Sequence, residues 1–477
     1  MSNSKQKSAR ERIAALTDEN SFVEIGALVT GRNTDFNMGE KKAPGDGVVT
    51  GYALIHDNPV YIYSQDASAL GGSIGEMHAK KIVELINLAV KTGTPVVGLI
   101  DCAGLRVQES TDALASFGMI YKAMADASGV VPQITAVLGK CGGGAALLAA
   151  MSDFTFIEKN NGRLFVNSPN ALENNYKEKL DTSASDFNAA SGSADFVYDG
   201  EDELFENLRD LVSVLPSNNN ETGGTDESMD DLNRETPAFA NEIKDPALAL
   251  EDLGDNNFFL EVSKDNAKEM VTGLLCLDGI TVGAVANRTA LFDENGKEAE
   301  KFDSVLTTAG CMKAASFVKK CNAFNIPILT LTSVTGFAST VEEEKTVGKA
   351  AAALTAAFAS SDVPKVNLIT GASYGSASLV MNSKSVGADM VFALPTARFG
   401  VMDAELAAKI MNDGTDQDKI KADALSFAAA TDINAAAARG YVDSIVEPAQ
   451  VRKNLLYAVE MLFSKSEFPV SRKNSTI

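Results

Sequence analysis

The 477-residue chain is 45% hydrophobic and carries a net charge of −22, enough apolar content for two or three cored domains and a poor balance for nucleic acid or an anionic membrane as main ligand. It has no run of about 20 apolar residues, so no membrane-spanning helix is expected, and its start, MSNSKQKSARERI, lacks the apolar core of a secretory signal. Cys102, Cys141, Cys276, Cys311 and Cys321 are scattered without a CxxC pair, beside only two histidines; this pattern argues against a disulfide framework and a zinc site and fits a cytoplasmic protein.

The predicted elements run in two similar series. A strand in YALIHDNPVYIYSQD, from Tyr52, precedes a helix with 3.6-residue apolar spacing, EMHAKKIVELINLAVKTG. An apolar strand follows in GTPVVGLIDCAG, from Gly93, then a Gly-bearing loop and a helix. A second apolar strand, in VPQITAVLGKCGGGAALLAAM from Val131, runs into a glycine turn and a small-residue helix. Residues 185–256 change character: LPSNNNETGGTDESMDDLNRETPAF reads as an acidic, solvated linker. The series then repeats, with a strand in LLCLDGITVGAVANR, a helix in CMKAASFVKKCNAFN, a strand in NIPILTLTSVTG, and VPKVNLITGASYGSASLVMNS. Pro95 matches Pro327, Pro132 matches Pro364 and Gly143 matches Gly375, an offset of 232 that is expected throughout. Alternating strands and helices imply a duplicated α/β protein, with domains over 1–235 and 236–477.

Gly142, Gly143 and Gly144 open a helix although glycine is a poor helix former. Close packing accounts for them, or else a ligand that approaches backbone N–H groups at the positive end of a helix dipole. GxxxxGK[ST] and GxGxxG are absent from both turns, which argues against a nucleotide and leaves an oxyanion, an enolate or a tetrahedral alkoxide, as guest. Cys141 has no histidine after it, and Ser376 lacks the GxSxG surround, so a Ser-His or Cys-His nucleophile is not expected.

PGDGVVTGYALIHDNPVYIYSQDASALGGSIGEMHAKKIVELINLAVKTGTPVVGLIDCAGLRVQES, ASGVVPQITAVLGKCGGGAALLAAMSDF, SARERIAALTDENSFVEIGAL and GADMVFALPTARFGVMD together resemble the carboxyltransferase subunits of biotin-dependent acyl-CoA carboxylases and of sodium-pumping acyl-CoA decarboxylases. The resemblance implies two crotonase-like domains, each a spiral of β-β-α units. The N-terminal one would take the acyl-CoA and the C-terminal one carboxybiotin, at sites shared between subunits of a homo-oligomer. It implies that Gly143 and Gly144 hold a thioester enolate and that Ser376 and Ala377 face the biotin ureido oxygen. Gly71, Gly72, Arg106, Val107, Gln108 and Glu109 would line the CoA side, and Gly336, Phe337, Tyr374 and Gly375 the biotin side. The base is then the cofactor, which agrees with the missing acid–base dyad.

Biotin would ride on a separate carrier protein, with a biotin carboxylase or a membrane decarboxylase subunit as further partner, leaving this chain cytoplasmic or peripheral to a membrane complex. The chain departs from the family pattern at Gly371, Ala372, Thr335, Ser376 and the DAELAAKI after Met402, all on the biotin side. Lys80 and Lys81, with Arg106, are candidates for CoA phosphates or a solvated helix face. His78 reads as surface or structural, and Lys313 in CMKA is not expected to carry biotin because it sits in a repeat-matched helix. A second enzyme reading is a CoA hydratase or hydrolase relying on Glu109, and a reading from another class is a non-catalytic scaffold that binds CoA or holds partner subunits.

Overall fold

A computed structural model describes residues 6–32, 43, 45–221, 228, 230–293, 295–412 and 417–467. The chain forms two compact α/β units, Met1–Thr222 and Gly223–Ile477.

The first unit is built on a sheet of β1 (Val23–Ile25), β2 (Val48–Ile55), β3 (Asn58–Gln65), β4 (Val96–Cys102), β5 (Gln133–Gly142), β6 (Phe154–Glu158) and β8 (Phe196–Tyr198), in that order, with β7 (Arg163–Phe165) paired to the far end of β5. The hairpin strands run antiparallel, and from β3 onward every pairing is parallel. Parallel strands require helical crossovers. Helices α1 (Ala9–Leu16), α2 (Glu76–Thr92), α3 (Ser110–Ala127) and α4 (Ala146–Ala150) accompany them. β4, VVGLIDC, is buried along its whole length, which explains its unbroken apolar run. Ile82, Leu85, Ile86 and Ala89 of α2 join Ile100, Val137 and Ile157 in the core.

The second unit repeats the plan. β9 (Phe259–Val262), β10 (Met270–Leu277) and β11 (Ile280–Asn287) form its antiparallel part. After β12 (Ala290–Phe292), β13 (Glu298–Lys301) and β14 (Val305–Leu306) come β15 (Ile328–Thr332), β16 (Gly336–Phe337), β17 (Lys365–Ile369), β18 (Ala372–Tyr374), β19 (Met390–Ala393), β20 (Arg398–Gly400) and β21 (Ser444–Ile445). The main sheet order β9-β10-β11-β15-β17-β19-β21 corresponds strand for strand to that of the first unit. The long β5 is split here into β17 and β18, yet the register survives: Lys140↔Arg163 to Gly142↔Phe165 becomes Ala372↔Arg398 to Tyr374↔Gly400. The repeated strand–strand–helix spiral is the crotonase-like arrangement that the resemblance implied.

Two expectations are corrected. The offset is not constant: Val48 at the start of β2 matches Met270 at the start of β10, an offset of 222. It becomes 232 only at α2, which matches the helix Thr308–Ala323. The second unit inserts the β12–β13 hairpin between β11 and that helix. Nor is 185–256 one solvated linker. The helix Glu201–Val214 buries Leu204, Phe205, Leu208, Leu211 and Val212, and the helix Pro246–Leu253 buries Ala249, Leu250 and Leu253. Asp230, between them, and Asp255, just after them, are paired. Asp230 accepts from Arg234 and from the fully buried Arg452, which also holds Asp255. Composition averaged over the stretch masks apolar residues spaced three and four apart.

Candidate active site

Three loops leave the first sheet at the same end of its parallel strands: 66–75 after β3, 103–109 after β4 and the glycine turn after β5. The first two are laced together. Ala103 N–H donates to Gly71 O, Ile74 N–H to Gly104 O and Arg106 N–H to Ile74 O, each at 2.9 Å. Gly71 and Gly72 have left-handed φ values of +66° and +64°, and a Cβ on Gly72 would fall 2.2 Å from Asp101 O. Glycine is there because two backbones meet.

In the third loop, Gly142 caps a short helical turn, Gly143–Ala145, that leads into α4. Gly143 has φ +61°, and nothing lies within 4 Å of where its Cβ would be. Its glycine answers to backbone conformation, not to crowding. Gly144 is exposed, but a Cβ there would come 2.9 Å from Tyr121 Oη and 3.2 Å from the Phe117 ring. The first N–H groups of such a turn have no partner within the helix. Cys141 lies buried beneath, its Sγ 3.3 Å from Ala145 O, and burial pushes its thiol up, away from nucleophilic use.

The matched turn joins β18 to the helix Gly375–Val380. Gly375 has φ +62° and a Cβ there would meet Val401 O at 3.3 Å. Ser376 is exposed and Ala377 buried. Tyr374 N–H donates to Val334 O at 2.8 Å, which draws the loop after β15 alongside; that loop carries Gly336 and Phe337, paired with Val305 and Leu306. The structure therefore gathers Gly336, Phe337, Tyr374, Gly375, Ser376 and Ala377 at one end of the second sheet. Beside Gly375 lies an apolar cavity of about 750 Å³, lined among others by Phe399, Met402, Ile410, Phe427 and Arg439. Sequence reasoning missed it, because its walls come from three separate segments.

Of the residues expected to line a CoA side, two are occupied inside the protein. Arg106 is buried; its guanidinium pairs with Asp46 and Glu109 and donates to Ser73 O at 2.7 Å. Glu109 also accepts the Glu76 N–H at the start of α2 at 2.7 Å, so it is a helix cap and not a free acid or base. The second unit uses the same device, Glu343 accepting the Thr308 N–H. Val107 is exposed and Gln108 half-buried; these two remain available to a ligand.

Neither phosphate binding nor a solvated face describes Lys81. It is buried and donates to Gly45 O and Val48 O, and burial lowers its pKa to about 8. Its repeat partner Lys313 donates likewise to Asn266 O and Met270 O. Lys80 is exposed and paired with Glu76. His78 is structural: it is fully buried, with Nδ1 2.9 Å from Asp46 O and Nε2 3.2 Å from Gln65 Nε2.

Two α/β repeats each end a buried strand in a turn that begins on a left-handed glycine, Gly143 and Gly375, and this duplicated plan is that of an acyl-CoA carboxyltransferase. The chain belongs to the carboxyl transferase family, whose domain model matches residues 3–477. It is 37% identical to the propionyl-CoA carboxylase beta chain of Roseobacter denitrificans, over 96% of this chain and 91% of that one. It is 36% identical to the methylmalonyl-CoA decarboxylase subunit alpha of Veillonella parvula, over 98% and 92%. A crystal structure of transcarboxylase 12S with methylmalonyl-coenzyme A and methylmalonic acid bound superposes with a TM-score of 0.91 at 32% identity, covering 99% of this chain and 92% of that one.

Proposed function

We propose that this carboxyltransferase moves a carboxyl group between biotin and an acyl-CoA of the propionyl or methylmalonyl type. The first unit is the acyl-CoA side and the second the carboxybiotin side. The observation that carries the reading is the matched pair of strand-end turns, with Gly143 and Gly375 in the same left-handed conformation. Gly143 and Gly144 N–H groups stabilise the thioester oxygen as negative charge develops on it, and backbone donors do so without supplying a proton. Gly71 and Gly72 let the loop after β3 pass close to the loop after β4, which shapes the acyl-CoA side, and Val107 and Gln108 lie along it.

Tyr374, Gly375, Ser376 and Ala377 would hold the biotin ureido group, with Gly336 and Phe337 flanking it; the bare backbone of Gly375 and the apolar cavity beside it fit an uncharged ring. Carboxybiotin bound there would supply the carboxyl group and the base for the substrate α-proton. No side-chain dyad is then required, in keeping with buried thiols at Cys102 and Cys141 and a fully buried His78.

The biotin is carried on a separate subunit, and the active form is a homo-oligomer. The near-equal identities to a carboxylase and a decarboxylase subunit support a second reading, in which the same transfer runs towards decarboxylation beside a membrane subunit. Among the described residues no helix is long and apolar enough to cross a membrane. One assay tests both: the purified protein with methylmalonyl-, malonyl- and glutaconyl-CoA and free biotin, following loss of the carboxyl group. Transfer from methylmalonyl-CoA is expected. No transfer from any of the three would favour a non-catalytic scaffold.

A further inference from the structure

The two matched turns are built differently. The first has three glycines, Gly142, Gly143 and Gly144; the same positions in the second are Tyr374, Gly375 and Ser376. Glycine loses more conformational freedom on folding than any other residue, so a run of three needs a restraint from elsewhere. The first unit supplies one. Tyr121, on α3, donates its hydroxyl to Gly144 O at 2.7 Å, and that carbonyl also accepts the Ala146 N–H. Phe117, one helical turn earlier, stands beside Tyr121 with ring centroids 6.0 Å apart, and its ring and the Tyr121 hydroxyl both lie against Gly144. In the second unit the position matching Tyr121 is Ala353, which has no hydroxyl to offer. There a single glycine, flanked by residues with side chains, shapes the turn.

We propose that Tyr121 is a positioning residue for the transfer reaction: its hydroxyl pins the Gly144–Ala145 peptide plane and so presets the turn whose Gly143 and Gly144 N–H groups meet the substrate thioester oxygen. The inference rests on the reading of this turn as the enolate-holding one. Burial raises the Tyr121 phenol above its ordinary value of 10.0, so the hydroxyl remains a donor at neutral pH. The bond acts on the reacting geometry and not on ground-state contacts to CoA, so its loss falls on kcat.

The test is Tyr121→Phe, which keeps the ring beside Phe117 and removes only the hydroxyl. For the panel substrate with the highest turnover, kcat is expected to fall about tenfold, the scale of one hydrogen bond's contribution to a barrier. KM for the acyl-CoA stays within about twofold and the thermal midpoint is unchanged. Amide hydrogen exchange over residues 142–146 speeds up while that of α2 and β4 does not. Unchanged kcat, a rise in KM alone, or a fall in kcat accompanied by a general loss of thermal stability would each overturn the proposal. If the unaltered protein shows no transfer at all, the functional reading fails separately. The exchange measurement still decides the clamp: unchanged exchange over 142–146 removes it.

Discussion

Gly143 and Gly375 stand 232 residues apart and share one backbone conformation, φ +61° and +62°. Left-handed backbone costs an ordinary L-residue about 1–2 kcal/mol. At Gly143 no neighbour would touch an added methyl, so conformation alone requires the glycine. Gly143→Ala is therefore expected to fold with about 1–2 kcal/mol less stability and to lose turnover by about 10² to 10³, as when an oxyanion donor is displaced. Gly144→Val should abolish turnover in a folded protein, by pushing against Tyr121. Steady-state rates beside thermal melts check both.

Ser376 occupies the position of Gly144, which has no side chain to react. Its hydroxyl is expected to be dispensable. Ser376→Gly should retain activity within roughly tenfold, about 1.4 kcal/mol of barrier. On the proposed reading Ser376→Val should lose far more, by crowding the ureido oxygen of a biotin held at this turn. A loss of three orders of magnitude in Ser376→Gly would make the hydroxyl a chemical participant and end the carboxybiotin reading of the second unit.

Arg106 lies between Asp46 and Glu109, all three buried. Removing the cation from such a cluster leaves two carboxylates without their partner, and breaking buried pairs typically costs about 3–5 kcal/mol. Arg106→Met should thus shift the denaturant midpoint strongly. A variant with unchanged stability and a raised KM for acyl-CoA would return Arg106 to direct phosphate binding. Val107→Ala, at an exposed position, is the matching control and should leave stability alone.

His78 is held neutral. Burial first, and then the nearby Arg106 charge, lower its pKa from 6.5 to about 3. Between those values the unfolded chain binds a proton that the folded protein refuses, so stability falls as pH drops from 6.5 towards 3. His78→Gln removes that contribution. Plotted against pH, the difference in unfolding free energy between His78→Gln and the parent should be flat above about 7 and shift in favour of the variant below 6.5. A flat difference across the whole range would show that His78 ionises without penalty.

Assembly is open to a direct measurement. A homo-oligomer is expected, and light scattering across a dilution series, with activity read at each concentration, checks it. Full activity in a species with the mass of one chain would rule out sites shared between subunits.

The duplication, the buried strands and both glycine turns were legible in the sequence because each is a local pattern. Apolar runs, residues spaced three and four apart and glycines after a strand depend on a few neighbours along the chain. The resemblance of the motifs carried the family as well. The linker was misread for the same reason that the strands were read well: a window averaged over Asn, Asp and Gly hides Leu204, Leu208 and Leu211, which become a core face only when coiled into a helix and set against a sheet.

What the sequence determined by itself was thus the repeated α/β plan and where its two turns fall. The tertiary structure alone decided which polar side chains near those turns are engaged inside the protein. Lys81 and Arg106 are candidates in the sequence for CoA phosphates or a solvated helix face, but Lys81 caps carbonyls near the start of β2 and Arg106 pairs with Asp46, 60 positions away. Tyr121 attracts no notice in the sequence and reaches Gly144 across 23 positions. A charge or hydroxyl takes its role from the groups that folding brings within about 3 Å, and for these residues those groups lie on other elements, where the order of residues along the chain does not reveal them.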